Sequence, residues 1–362
     1  MSYPLLMRLP GTSGMPRLAL CDLPTPLEPL ELDTRARMLR VKRDDASARA
    51  YGGNKARKLE LLLGEALAQK RRAVITFGAY GSNHALATAV HASAAGIEPH
   101  VVLSPQAPGP FAARTLRAHA GLGTHIHAIE GWDGSREAVR VRRELAERDG
   151  VEPYVIPMGG TNALGAIAYV NAALELAAQA QATGEGLPDR VYLAGGTIGT
   201  AIGLAIGFSL LEAPTRVEAV RVTPGEVCNL ESARTLTIAT VDRLRSLDSG
   251  MPDVAFEDLR FALREEFFEP GYGVPTTQSV EAVRVATEAG IPAETTYTGK
   301  ALAALLADSV SGALDDADVL FWDTYNSSPL PPAGRDEDLP GVLQEYVVEC
   351  DRLFASEKGP TT

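Results

Sequence analysis

From about residue 54 onward, short β-rich runs alternate with amphipathic stretches whose apolar residues recur every three or four positions, and this alternation limits the possible folds most. Strands are predicted over residues 73–77, 100–103, 125–129 and 154–157, and helices over 58–69, 82–95, 135–148 and 164–182. The rhythm resumes with a strand at 190–194, a helix over about 200–211, a strand at 216–222 and a buried strand at 319–322. Such series read as βαβ units, whose parallel sheets are covered by helices on both faces. The expected fold class is therefore α/β, a three-layer parallel-sheet fold in two domains divided near residues 159–163. In such sheets ligands sit beyond the carboxyl ends of the strands, so the strand-to-helix junctions are where chemistry is sought.

Composition removes several function classes. Apolar residues make up 45% of the 362, yet no run approaches the roughly eighteen apolar residues a membrane helix requires, and residues 1–10 lack the features of a secretion signal. A soluble, cytoplasmic protein without a membrane partner is expected. The net charge is −12 and the basic residues are interspersed with acids, as over 136–148, so nucleic acid is not an expected partner. Cys21, Cys228 and Cys350 are odd in number and far apart, which fits reduced thiols rather than disulfides or a zinc site; no metal is expected. A Pro-rich stretch at 24–29 and a polar tail at 356–362 read as loose ends.

Three junctions carry candidate chemistry. In Gly52-Gly53-Asn54-Lys55-Ala56-Arg57-Lys58 a lysine stands behind two glycines at the start of a helix. Glycines admit a flat ligand close to the backbone, and the helix start, with Arg57 and Lys58 nearby, is expected to disfavour the ammonium form of Lys55. A neutral amine can attack an aldehyde. In Gly81-Ser82-Asn83-His84 the backbone N–H groups at a helix start suit a carboxylate, although Ser82 or Asn83 could equally serve as a helix cap. Gly195-Gly196-Thr197-Ile198-Gly199-Thr200 lacks both the P-loop lysine and the dinucleotide spacing, which leaves a backbone cup for one phosphate or an ordinary glycine turn.

These segments, with Pro157-Met158-Gly159-Gly160-Thr161-Asn162 and Tyr297-Thr298-Gly299-Lys300, follow the order of a known family. From about Pro24 to Phe321 the chain resembles the D-cysteine desulfhydrase and 1-aminocyclopropane-1-carboxylate (ACC) deaminase family of pyridoxal 5'-phosphate (PLP) enzymes, tryptophan synthase β-like in fold (fold type II). The resemblance implies that Lys55, beside Asn54, binds PLP as a Schiff base and that Asn83 bonds the phenolic oxygen. It implies that Gly196, Thr197, Ile198, Gly199 and Thr200 hold the phosphate, although Ile198 stands where the family has a smaller residue. Ser82, Asn83 and His84 would hold the substrate carboxylate, Tyr272 and Tyr297 would line the pocket, and Lys55 or Ser82 would move the α-proton. It further implies a homodimer with a small domain over residues 58–165, a large one over 1–57 and 166–362, and an active site between them.

Two departures bear on the reaction. Thr298 replaces the glutamate that ACC deaminases place after the tyrosine, and the resemblance gives the pyridine nitrogen to Thr324 instead. A hydroxyl makes the ring a weaker electron sink, which favours β-elimination from a small amino acid to a 2-oxo acid and ammonia, with sulfide from a thiol substrate. Asp323, Tyr325 and Asn326 replace the family's histidine and two glycines; the expectation is a reshaped pocket, unless the loop turns away. The rival readings are ACC deamination, a racemase or other lyase, a PLP binder without catalysis, and a nucleotide-binding α/β protein.

Overall fold

Two parallel-sheet units make up the chain, and the computed structural model describes residues 3–355. In chain order come α1 (Pro4–Arg8), β1 (Leu27–Pro29), β2 (Met38–Arg43), α2 (Asn54–Ala68), β3 (Ala73–Ala79), α3 (Asn83–Ala94), β4 (Glu98–Ser104), α4 (Pro110–Gly121), β5 (His125–Ala128), α5 (Ser135–Asp149) and β6 (Tyr154–Val155). There follow α6 (Ala163–Thr183), β7 (Arg190–Gly195), α7 (Gly199–Leu210), β8 (Arg216–Arg221), α8 (Leu230–Leu247), β9 (Phe261–Arg264), α9 (Thr277–Glu288), α10 (Thr298–Val310), β10 (Asp318–Asp323) and α11 (Gly341–Leu353). The polar tail at 356–362 lies outside the described residues.

The first unit comprises residues 3–62 and 161–328. Its six strands run in the order β1-β2-β10-β7-β8-β9, antiparallel at β1–β2 and parallel elsewhere. Arg43 and Asp323 are paired across β2 and β10, so Asp44 and Thr324 both lie just past strand carboxyl ends. Helices α6 and α7 are buried on nearly every side, as apolar helices without a polar face must be. They approach closely because α7 carries small residues: a Cβ at Gly203 would lie 2.3 Å from the Ala166 carbonyl oxygen. By length and composition α6 is apolar enough to cross a membrane, contrary to the sequence expectation, but most of it is buried inside this unit.

Under the sheet ends lies a charge cluster with almost no access to water. Lys42, Asp44, Arg57 and Glu175 are all buried, two cations against two anions. The Arg57 guanidinium donates to Asp44 from Nε and Nη2 at 2.7–3.0 Å, and to Glu175 from Nη1 and Nη2 at 2.9 Å. The Lys42 ammonium donates to Glu175 at 2.7 Å, while Tyr169 OH and Trp322 Nε1 donate to Asp44 Oδ2 at 2.7 and 2.8 Å. Burial pushes the Glu175 carboxyl up, but Arg57 and Lys42 outweigh burial and hold it at about 2. Desolvated ions of this kind are tolerable only when paired and hydrogen-bonded.

The second unit comprises residues 63–160 and 329–355, with an all-parallel sheet of order β5-β4-β3-β6. The sequence reading puts residues 329–355 with the large domain, and the structure corrects this. Leu343, Tyr346, Val347 and Cys350 of α11 join Ala112, Ala113 and Leu116 of α4 in one apolar core. Arg117 of α4 also pairs with Asp336 at 2.8 Å and Asp351 at 2.7 Å. The boundaries fall at 62/63 and 160/161, a few residues from those expected.

Removing one member of the buried cluster strands the opposite charge without water. Glu175→Gln is therefore expected to destabilise the chain by about 3–5 kcal/mol, read as a lower urea midpoint, whereas Glu281→Gln, in an exposed pair with Arg284, should barely move it.

Candidate active site

Lys55 stands at the second residue of α2, and the two glycines before it are required by crowding. A Cβ at Gly52 would lie 2.3 Å from the Asp45 carbonyl oxygen, and one at Gly53, where φ is +80°, 2.6 Å from that of Tyr325. The Lys55 ammonium donates to Asn54 Oδ1 at 2.6 Å, and Asn54 Nδ2 donates to Thr200 Oγ1 at 3.0 Å. This short chain ties the lysine to the first turn of α7, which follows the glycine loop. Burial pushes the Lys55 amine down to about 8. The sequence expectation that Arg57 contributes to this shift is corrected, because its guanidinium is turned to Asp44 and Glu175.

Lys58, one turn along α2, is a functional candidate that the sequence reading treats only as a neighbouring charge. Its amine is buried and donates to Thr161 Oγ1 at 3.3 Å, and that hydroxyl lies 2.6 Å from Thr197 Oγ1. Burial, then the charge of Lys55, push the Lys58 amine well down. The glycine loop is held open by these groups. A Cβ at Gly199 would come within 2.7 Å of Thr161 Oγ1 and 3.0 Å of Lys58 Nζ, and one at Gly196 within 3.2 Å of the Tyr297 ring. Thr223 donates to the Gly196 carbonyl at 2.6 Å and fixes the loop from behind. Ile198 is buried at φ +61°, a left-handed conformation costly for a β-branched side chain, so this bulky replacement is accommodated by strained backbone.

Two lysines, three threonine hydroxyls and the N-terminus of a buried helix thus converge on a cup that side chains cannot fill. That donor set suits a phosphate dianion, and the Lys55 amine, more easily deprotonated than a free lysine, suits an aldehyde, so the residues present fit PLP.

Tyr272 and Tyr297 meet with their hydroxyls 2.8 Å apart and their rings edge to face. Burial raises Tyr272 to about 12 and pushes Tyr297 well up, so both remain O–H donors at neutral pH. Thr298 opens α10: its hydroxyl accepts from Glu294 N at 3.0 Å, while Glu294 Oε1 accepts from the N–H groups of Tyr297 and Thr298 at 2.7 and 3.0 Å. Glu294 does not stand out in the sequence, since nothing there distinguishes an acid in a turn from a solvated one. Thr324 lies beside Asn54, its carbonyl accepting from the Asn54 N–H at 3.3 Å. Beyond it, Asn326 is buried and accepts from Gly52 N at 2.6 Å, so the loop closes on the segment preceding Lys55.

Ser82, Asn83 and His84 belong to the second unit, at the start of α3. Ser82 is the helix cap, its hydroxyl accepting from Ala85 N at 3.2 Å. The His84 ring faces inward to Thr76 Oγ1 at 2.8 Å, so what His84 offers at the helix end is backbone.

A family model described as pyridoxal-phosphate dependent enzyme matches residues 18–324. Among solved structures, one described as an ACC deaminase homologue is 30% identical with a TM-score of 0.75, covering 91% of this chain and 96% of its own. A hydrogen sulfide-producing enzyme from Fusobacterium nucleatum is 16% identical (TM-score 0.58; 83% of this chain, 95% of that one). A threonine deaminase from T.th. is 21% identical (TM-score 0.52; 84% and 94%). The last two similarities concern the fold.

Only the deprotonated Lys55 amine adds to an aldehyde, and its lowered value means that form accumulates from mildly alkaline pH upward. The rate of PLP uptake by the apoprotein should therefore rise with pH through a midpoint near 8 rather than near the ordinary 10.5, in stopped-flow absorbance.

Proposed function

The chain belongs to the pyridoxal-phosphate dependent enzyme family, and on that premise we propose that it is a lyase or deaminase releasing ammonia from a small amino acid by β-elimination, in the manner of a D-cysteine desulfhydrase. The observation that supports this reading is the Lys55–Asn54–Thr200 chain of hydrogen bonds, which joins a lysine amine to the first turn of α7 behind the glycine loop. When bound, PLP supplies an aldehyde that condenses with amines and a ring that withdraws electrons from an amino acid's α-carbon. Lys58, Thr161, Thr197 and the α7 amides would hold its phosphate, and Lys55 its aldehyde end.

Asn54 Oδ1 holds the Lys55 amine by one hydrogen bond, so the side chain has a fixed direction from which to work. In its neutral form Nζ takes the α-proton of the substrate. Tyr272 and Tyr297, both protonated, can donate to a departing β-substituent. For a β-thiol substrate the α-C–H and β-C–S bonds break, sulfur leaves as hydrogen sulfide, and one water is consumed as the nitrogen leaves as ammonia and a 2-oxo acid remains. The capped end of α3 in the second unit offers amides suited to a substrate carboxylate.

The 30% identity to an ACC deaminase homologue supports a second reading, ring opening of ACC to 2-oxobutyrate and ammonia. Against it stands Thr298, a hydroxyl bonded to Glu294 N where that reading needs a carboxylate. A homodimer is part of the proposal, with sedimentation expected at twice 38.3 kDa.

Incubation with D- and L-cysteine, serine, threonine and ACC, assayed for 2-oxo acid, ammonia and sulfide, tests the proposal. Turnover of a β-substituted amino acid is expected, with Lys55→Ala slower by at least about 100-fold. Turnover of ACC alone would establish the second reading, and inversion of the amino acid without ammonia would overturn both.

A further inference from the structure

Three of the chain's six histidines gather with one glutamate on the open edge of the second unit's sheet, and none of them has a part in the Lys55 chemistry. Glu98 and His100 lie two residues apart on β4 and so share a face, and His125 on the edge strand β5 is the register partner of His100. The His100 and His125 rings stack at 4.5 Å between centroids and 10° between planes, which presents their Nε2 atoms side by side. Both converge on one carboxylate oxygen: Glu98 Oε1 is 2.8 Å from His100 Nε2 and 3.1 Å from His125 Nε2.

From this geometry we infer a binding site for one zinc-like divalent cation, with Glu98 Oε1, His100 Nε2 and His125 Nε2 as ligands. All three donor atoms lie within 4.8 Å of one another. Donor atoms around tetrahedral zinc are about 3.3 Å apart for bonds of about 2.0–2.1 Å, so the Glu98 oxygen, at 2.8 and 3.1 Å from the two nitrogens, need withdraw from each by only tenths of an ångström. The mixed nitrogen and oxygen set selects a borderline transition ion over magnesium or calcium, which take oxygen ligands. His125 is half exposed, which leaves the fourth position to water.

The surroundings already form the outer layer such a site needs. His100 Nδ1 lies 3.0 Å from His127 Nε2, and His127 Nδ1 lies 3.4 Å from Glu137 Oε1. This relay can keep the His100 proton on Nδ1 and leave Nε2 as the donor. Arg148 forks onto both oxygens of Glu98 at 2.9 and 2.7 Å and fixes the carboxylate's direction. Its charge and that of Arg140, which pairs with Glu137 and Glu144, oppose a cation. Against these two stand four carboxylates, Glu98, Glu137, Glu144 and Asp149, with Arg72 a further cation near Asp149. The ligands stand on paired strands and the carboxylate is clamped, so little ordering accompanies binding.

This site is independent of the PLP reading, and its test is a metal measurement. The PLP-loaded protein, stripped with a chelator and dialysed against micromolar zinc chloride, should retain about one zinc per chain by mass spectrometry and show cobalt(II) d–d absorption of a four-coordinate site. His125→Ala and Glu98→Gln should each weaken zinc binding by at least about tenfold, and His127→Phe should do so by about tenfold through the His100 ring. All three variants should keep the visible absorbance of bound PLP, and millimolar magnesium should not displace zinc. Failure of the wild type to retain zinc, or unchanged zinc binding in both His125→Ala and Glu98→Gln, overturns the site. Loss of PLP absorbance in the unmodified protein would instead count against the reading of the Lys55 site.

Discussion

Asp44 accepts hydrogen bonds from Arg57, Thr25, Tyr169 and Trp322, and through those bonds the start of α2 is attached to a sheet strand, a buried helix and the N-terminal segment at once. The ions involved have no water to fall back on, so the arrangement holds only in a geometry that satisfies every partner. Tyr169 OH also lies 3.2 Å from the Asn54 carbonyl oxygen, so the cluster reaches the residue next to Lys55. Asn54 is then held by backbone on two sides and by its side chain on Thr200. The Lys55 amine is thereby linked, through Asn54, to a charge cluster buried away from water.

The same cluster explains why burial sets the state of Lys55. Residues two apart on a helix do not face each other, and Arg57 accordingly turns from the lysine to Asp44 and Glu175, which neutralise its charge. What remains to shift Lys55 is burial, and a like charge one turn away on the helix adds to burial in depressing Lys58. A dianion in the cup would favour a charged Lys58 and leave the Lys55 amine to act as nucleophile and base. Position along one helix thus gives two lysines different partners, Asn54 for Lys55 and Thr161 for Lys58.

Legibility in the sequence follows the kind of force involved. The strands at 73–77, 190–194 and 319–322 are mostly apolar runs, broken only by Thr76 and Arg190, and they stand within β3, β7 and β10. Strand β2 escapes the pattern because Arg40 and Lys42 interrupt it; both are buried only because Glu185 and Glu175 meet them from distant parts of the chain. Lys55, Asn54 and the glycine loop can be picked out because glycine and asparagine at a helix start restrict the backbone locally. Lys58 and Glu294 cannot, since their significance comes from what faces them after folding. The histidine cluster is hidden for the same reason: its members lie on two strands, 25 residues apart between His100 and His125, without a ligand spacing to mark them.

The loop after β10 turns the question of specificity from bulk to position. Asn326, which in sequence reads as added bulk beside the cofactor, accepts from Gly52 N and Ser328 N and donates to the Ser328 carbonyl, which engages its amide in tying two backbone segments together. Ser327 and Ser328 add bonds to the carbonyls of Asp45 and Ala48. Asp323 completes the turn by accepting from Tyr325 N, and burial, then the neighbouring Asp45, push its carboxyl well up. Two glycines could not make these side-chain bonds. The Asn326 side chain clamps Gly52 and the Tyr325 carbonyl oxygen crowds Gly53, so the loop packs on the segment that leads into α2.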